Sequence, residues 1–252
     1  MPVSLQQLLH YTDNLLQINA FSDYCPNGLQ VEASQTVSKI VSGVTASAAL
    51  IEAAIAEKAD LLLVHHGYFW KGEAPALTGR KGKRIQQLMR HNISLAAYHL
   101  PLDAHPQLGN NSQLGQLLGF EVTGGLDDSE RPIGLIGKPA GQPTLAELGS
   151  LVAGQLQREP LLIGDVSRVI SRVAWCTGAA QSYIDKAIER GVDCFITGEV
   201  SEPTFHAACE GGIAFIAAGH HATERYGVKA LGEHLANQFA VDHTFVDIAN
   251  PV

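Results

Sequence analysis

The unbroken apolar run Leu61-Leu62-Leu63-Val64 opens on Asp60 and leads straight into His65, His66 and Gly67. A short unbroken run bounded by Asp and Gly fits a strand covered on both faces, as in a parallel α/β sheet. Comparable runs at about Val37 to Val44 and Ile93 to Tyr98 predict two more buried strands. Between them the period changes. Ser4 with Gln7 forms a candidate capping box ahead of Leu5, Leu8, Leu9, Leu15 and Leu16, which predicts an amphipathic helix over 4–18. A second helix starts near Thr45 or Ser47 and reaches Lys58, completing a βαβ unit with a right-handed parallel crossover. Asn110 to Gly119 reads as a short helix with a glycine stop. From about Glu121 to Val169 the pattern weakens to a strand near Ile133 to Ile136 and a helix capped by Thr144 and Glu147.

Beyond this connector the pattern returns. Laying Asp60 on Asp193 superposes Ile51 on Ile184, Ala54 on Ala187, Ile55 on Ile188 and Leu63 on Ile196. Further on, His99 falls on His220 and Asp103 on Glu224, so each half offers a buried strand followed by His-x-x-x-carboxylate. An internal duplication accounts for the match, with domains over 1–125 and 126–252 and a C-terminal strand free to return to the first. Two such halves are expected to enclose a cleft faced by their polar strand ends.

Composition narrows the class. The chain has 252 residues, of which 46% are apolar and 17% charged, as in an ordinary globular protein. A formal charge of −8 argues against nucleic acid as a partner. No apolar stretch reaches the ~20 residues of a membrane span, and the start lacks the basic and apolar blocks of a signal peptide, so a cytoplasmic protein is expected. Cys25, Cys176, Cys194 and Cys209 make no C-x-x-C pair, which suits reduced thiols.

The eleven histidines carry the chemistry. His65 and His66 can converge on one site only if the backbone leaves the pleat, which Gly67 permits. In a helical His220-His221-Ala222-Thr223-Glu224, His220 and Glu224 stand one turn apart and can hold one ion. Pro101 and Pro106 place His99, Asp103 and His105 on a loop after a strand. The candidate ligands are therefore His65, His66, Asp103, His220 and Glu224. Three imidazoles and two carboxylates fit two divalent cations with open positions; Zn, Fe, Mn and Ni are not distinguished. Glu199, opposite His66 in the repeat, and His99 are the candidate catalytic groups, the latter also as a donor that steers a ligand. Against the ligand reading, paired histidines can simply cap a strand, Asp103 can make an Asx turn, and Glu224 can serve a helix start. Arg80, Lys81, Lys83 and Arg84 read either as an anion contact or as a solvated helix end, and the second reading is preferred. Tyr68, Phe69 and Trp70 read as packing rather than as a stacking platform.

The blocks Tyr24 to Val31 (YCPNGLQV), Gly43 to Ser47 (GVTAS), Val64 to Lys71 (VHHGYFWK), His99 to His105 (HLPLDAH), Thr197 to Val200 (TGEV) and Gly219 to Arg225 (GHHATER) resemble the GTP cyclohydrolase I type 2 homologue family, also described as dinuclear metal centre proteins, in its short bacterial form. The resemblance spans nearly the whole chain. It implies two similar α/β/α three-layer halves with two divalent metals in the cleft, held by His65, His66, Asp103, His220 and Glu224. It also implies a ring-shaped homohexamer built as a trimer of dimers, and a small-molecule substrate, GTP or another nucleotide, whose guanine ring is opened by metal-activated water with release of formate. Two other functions remain in view: a metal-dependent phosphoesterase, and a non-catalytic metal-binding or regulatory ring scaffold. The domain that longer relatives insert between the halves has no counterpart in this connector.

Overall fold

The computed structural model describes residues 2–252 and shows a mixed α/β protein. Two compact units emerge, one of 1–102 with 227–249 and the other of 103–226 with 250–252. The division differs from a cut near residue 125 for two reasons. Leu114, Leu118 and Phe120 are buried in the core of the second unit, which draws the helix Asn110–Leu117 there. Asp242–Phe245 pairs in parallel with the strand Lys39–Thr45, which draws the chain's end back to the first.

In the first unit a five-stranded sheet runs in the order Asp242–Phe245, Lys39–Thr45, Leu61–His66, Ser94–Ala97, Gly28–Val31, parallel except for the last strand. Its central strand is the apolar run that the sequence singles out. Val41, Leu62, Val64, Leu95 and Ala97 form one face, packed with residues of the helices Ala48–Ala56 and Gly79–Arg90. The alternating residues Ile40, Leu61, Leu63 and Ala96 are buried too, so both faces are covered. Ser47 caps its helix by accepting from the Leu50 N–H at 3.2 Å. The helix Leu5–Leu16 forms, but Ser4 makes no side-chain cap bond.

The second unit holds a six-stranded sheet in the order Glu121–Gly125, Leu135–Lys138, Val173–Cys176, Cys194–Thr197, Ala214–Ala217, Leu161–Ile163, with the third to fifth strands parallel. Period-two alternation splits its core into two layers. Val173, Trp175, Cys194, Ile196 and Ile216 pack with Leu145, Leu148, Val152 and Leu156 of the helix Leu145–Leu156. Ala174, Cys176, Phe195, Phe215 and Ala217 pack with Ile184 and Ala187 of Ile184–Glu189 and Ala208 of Glu202–Glu210. The Thr144–Glu147 capping box is formed.

The two central strands start alike. Asp60 Oδ2 accepts from the Ser38 and Lys39 N–H groups, and Asp193 Oδ2 accepts from those of Ser171 and Arg172. The next strand keeps the same step: Leu61 pairs with Ser94 and Cys194 with Ala214. This register sets Tyr98 against Ala218, whose N–H groups bond to Val64 O and Thr197 O. His99 therefore corresponds to Gly219 rather than to His220. The second unit carries one more residue before its histidine, and Gly219 takes that turn at φ +102°. Among the described residues no helix is long and apolar enough to cross a membrane.

Candidate metal centre

In the first unit the chain brings three histidines to the carboxyl end of the parallel strands, where α/β sheets collect ligands. His65 and His66 are the last two residues of Leu61–His66, and His99 follows Ser94–Ala97. One ring nitrogen from each lies within 4.8 Å of the other two. The ring centroids of His65 and His66 are 4.6 Å apart. Each Nδ1 faces a local acceptor: Tyr98 O at 2.8 Å for His65, Thr45 Oγ1 at 3.3 Å for His66, and Asp23 Oδ1 at 2.7 Å for His99. A carbonyl or carboxylate oxygen only accepts, so in His65 and His99 Nδ1 carries a proton and Nε2 is the nitrogen left for another partner. Gly67 serves by close approach rather than by a positive φ: a Cβ there would meet Gln30 Oε1 and Ala97 Cβ. Gln30 Oε1 in turn receives the Tyr68 N–H at 2.7 Å.

Asp23 does more than close a turn. Its carboxylate also accepts from the N–H groups of Tyr24 and Leu100 and from Asn27 Nδ2, while Asn27 Oδ1 accepts from the His99 N–H at 2.7 Å. The turn at residues 23–27 thus pins the segment that presents His99. Burial pushes the Asp23 carboxyl up, but the bonds from His99 and Asn27 outweigh it and lower the pKa to about 2. Cys25 lies beside Asp23 and His99, and burial and then the Asp23 charge lift its thiol to about 12. Trp70 is half-buried against this cluster, its ring edge-on to His99 at 5.0 Å.

In the second unit Asp103, His220 and Glu224 come together with Glu199. Leu100–Asp103 is one helical turn, not a loop, because Pro101 sits at the start of the turn, where its missing N–H costs nothing. Asp103 is buried, and its Oδ1 accepts from Asn110 Nδ2 at 2.8 Å and Thr177 Oγ1 at 3.4 Å. A carboxylate oxygen of Asp103 lies within 4.8 Å of one of Glu224. His220 Nε2 is 3.1 Å from Glu224 Oε2, and its Nδ1 is 2.7 Å from Glu199 Oε1. Gln181 Nε2 reaches the other Glu199 oxygen at 3.5 Å. Gly178 makes room for this geometry: it holds φ +70°, and a Cβ on it would collide with Glu224 Oε1. Burial presses the His220 pKa down, but Glu224 and then Glu199 outweigh it and raise it to about 9. Cys176 beneath is held as a thiol by burial, reinforced by the charges of Asp103 and Glu224.

These donors fit divalent cations. Ligands on a tetrahedral Zn ion with bonds of ~2.1 Å stand about 3.4 Å apart, close to the His220–Glu224 spacing. Imidazoles whose Nδ1–H is held by a carbonyl or carboxylate are the usual form of a metal-binding histidine. The sequence reading missed the groups that hold His99 and the candidate ligands: Asp23, Thr45, Asn110, Thr177 and Gln181. For Asp23 the only signal is its position next to the Tyr24 to Val31 block.

A model of the Duf34/NIF3 (NGG1p interacting factor 3) family matches residues 3–251. The chain is 55% identical over 252 residues to a Pseudomonas aeruginosa protein named GTP cyclohydrolase 1 type 2 homolog, covering 100% of both. Its fold superposes on the solved structure of protein ybgI, described as of unknown function, with a TM-score of 0.95 and 50% identity over 99% of this chain and 100% of that one. TTHA1606 from Thermus thermophilus matches with a TM-score of 0.89 and 33% identity, over 99% of this chain and 100% of the other. With the family model spanning nearly every residue and full-length relatives above half identity, the chain belongs to the Duf34/NIF3 family.

Proposed function

We propose that His65, His66, Asp103, His220 and Glu224 together hold two divalent cations, and that the protein is a metal-dependent hydrolase acting on a small molecule, with GTP ring opening as the specific reaction. The observation that carries the reading is the fixed setting of the imidazoles: His65, His99 and His220 each present Nδ1 to a fixed oxygen, and His220 Nε2 meets Glu224 at 3.1 Å. The name of the Pseudomonas aeruginosa relative supplies the candidate substrate. When bound, such a pair of cations acidifies water and polarises an electrophile.

The chain's own groups divide the remaining work. Glu199, engaged on both oxygens by His220 and Gln181, orients His220. His99, backed by Asp23, is the group assigned to carry a proton to or from substrate. Trp70 walls the His99 side. The active form is assigned as a homohexamer, and a sedimentation mass six times that of the chain is expected.

Protein reloaded with Zn, Mn, Fe or Ni should release formate from GTP. Loss of that activity in His66→Ala with the fold retained supports the hydrolase. No formate with any of the four metals removes GTP as substrate, and metal binding without turnover on nucleotides or phosphoesters removes the hydrolase itself.

A further inference from the structure

The helix Gly79–Arg90 breaks an electrostatic rule. Helix starts favour acids, but its first turn has none. Arg80, Lys81, Lys83 and Arg84 crowd there instead, so with Arg90 one helix carries five of the 17 Lys and Arg residues of a chain whose net charge is −8. Lys81 is accounted for locally: its ammonium bonds to Ala74 O, pairs with Glu73 at 3.5 Å and lies 5.4 Å from the Phe69 ring centroid. Arg80, Lys83 and Arg84 form no ion pair among the described residues.

Those three cations line a groove of about 550 Å³ between this helix and Ala48–Ala56. Ile51 and Ile55 supply apolar lining, and Glu52, Gln86 and Gln87 add polar groups. The volume lies in the range of small-molecule sites. The groove is also polarised along its length. Both helices follow strands of one parallel sheet by right-handed crossovers, so they run the same way, with Ala48 and Arg80 at their amino ends. Cations and two positive helix ends therefore share one end of the groove, and Ile55 and Gln87 mark the other. None of the histidines or carboxylates of the metal centre lines it.

We propose that this groove is a second binding site, for a nucleotide-sized organic phosphate, with the phosphate at Arg80, Lys83 and Arg84 and the flat or apolar body over Ile51 and Ile55. A bare anion leaves the apolar lining unused, and a purely apolar ligand leaves three guanidinium or ammonium groups unanswered. Arginine and lysine bind phosphate oxygens by charge-assisted hydrogen bonds, and aliphatic side chains cover the ligand's body.

The test uses the full-length protein in EDTA with a fluorescent N-methylanthraniloyl-ADP probe. Binding should survive EDTA and His66→Ala, should be displaced only weakly by inorganic pyrophosphate, and should weaken as salt rises. In Arg80→Gln/Lys83→Gln the Kd should rise roughly tenfold or more. The charge-matched control Lys138→Gln/Lys229→Gln, at exposed positions elsewhere, should bind like the parent. Four outcomes overturn the proposal: no binding, binding that requires metal or His66, equal losses in both double variants, or capture of phosphatidylglycerol vesicles through Arg80 and Lys83 without probe binding. Because the assay runs without metal, its failure leaves the metal-centre reading untouched, and the reverse holds as well.

Discussion

Glu199 accepts the Nδ1 proton of His220 at 2.7 Å, from a position 21 residues earlier in the chain. A carboxylate behind an imidazole fixes its ring and makes Nε2 a better donor to a cation. Glu199→Gln keeps the size but offers His220 a neutral acceptor. Removing such a partner lowers metal affinity by roughly 10- to 100-fold. Calorimetric titration of metal-free protein with Zn should show that loss while the metal-free melting temperature hardly moves. An unchanged affinity would make Glu199 a bystander to His220.

Gly178 stands under Glu224 with φ +70°, and the carboxylate fills the space that a Cβ would take. Gly178→Ala carries two penalties: a left-handed backbone for an L-residue, and a displaced Glu224 carboxylate. The backbone part alone costs about 1–2 kcal/mol. Denaturant unfolding should record at least that loss, and Zn binding should weaken with it. Retention of full affinity would mean that Glu224 reaches its place by another path.

The buried parallel strands, the Ser47 and Thr144 caps and the two His-x-x-x-carboxylate segments were legible because they are local: apolar runs and short spacings survive in a one-dimensional string, whereas the edge strands Gly28–Val31, Glu121–Gly125 and Leu161–Ile163 carry no such run. The unit boundary was not legible. It depends on where Leu114 packs, which leaves no local mark; the return of the C-terminal strand to the first unit was the part open to expectation. The one-residue offset that sets His99 against Gly219 was hidden because matching histidines is easier to see than matching hydrogen bonds. The partners that aim His99 and the candidate ligand Asp103 were equally invisible, since Asp23 and His99 are 76 residues apart and Thr177 and Asp103 74.

Cations bound by the folded chain alone must stabilise it. For one site with free metal at about 1,000 times its Kd the gain is roughly 4 kcal/mol. Thermal melts with and without EDTA should therefore separate clearly, and His65→Ala should close most of the gap. Equal melting temperatures in both conditions would count against a resident metal in the folded protein.

Asp23 gives the pH dependence a sign. Its folded pKa, about 2, lies below the ordinary 3.8, so its contribution is fully present above 3.8 and is lost as pH falls through 2. The gap corresponds to roughly 2 kcal/mol, and the carboxylate is nearly enclosed, with its side chain 3% exposed. Asp23→Asn removes the titration along with the charge that holds His99 Nδ1 and the Leu100 N–H. The stability difference between parent and variant should be largest near neutrality and shrink between pH 3.8 and 2. Other carboxylates titrate in the same window, but they do so in both proteins and drop out of the difference. Urea unfolding of the pair across that range decides the matter, and a difference that stays flat down to the lowest pH would show that Asp23 holds the His99 segment by shape rather than by charge.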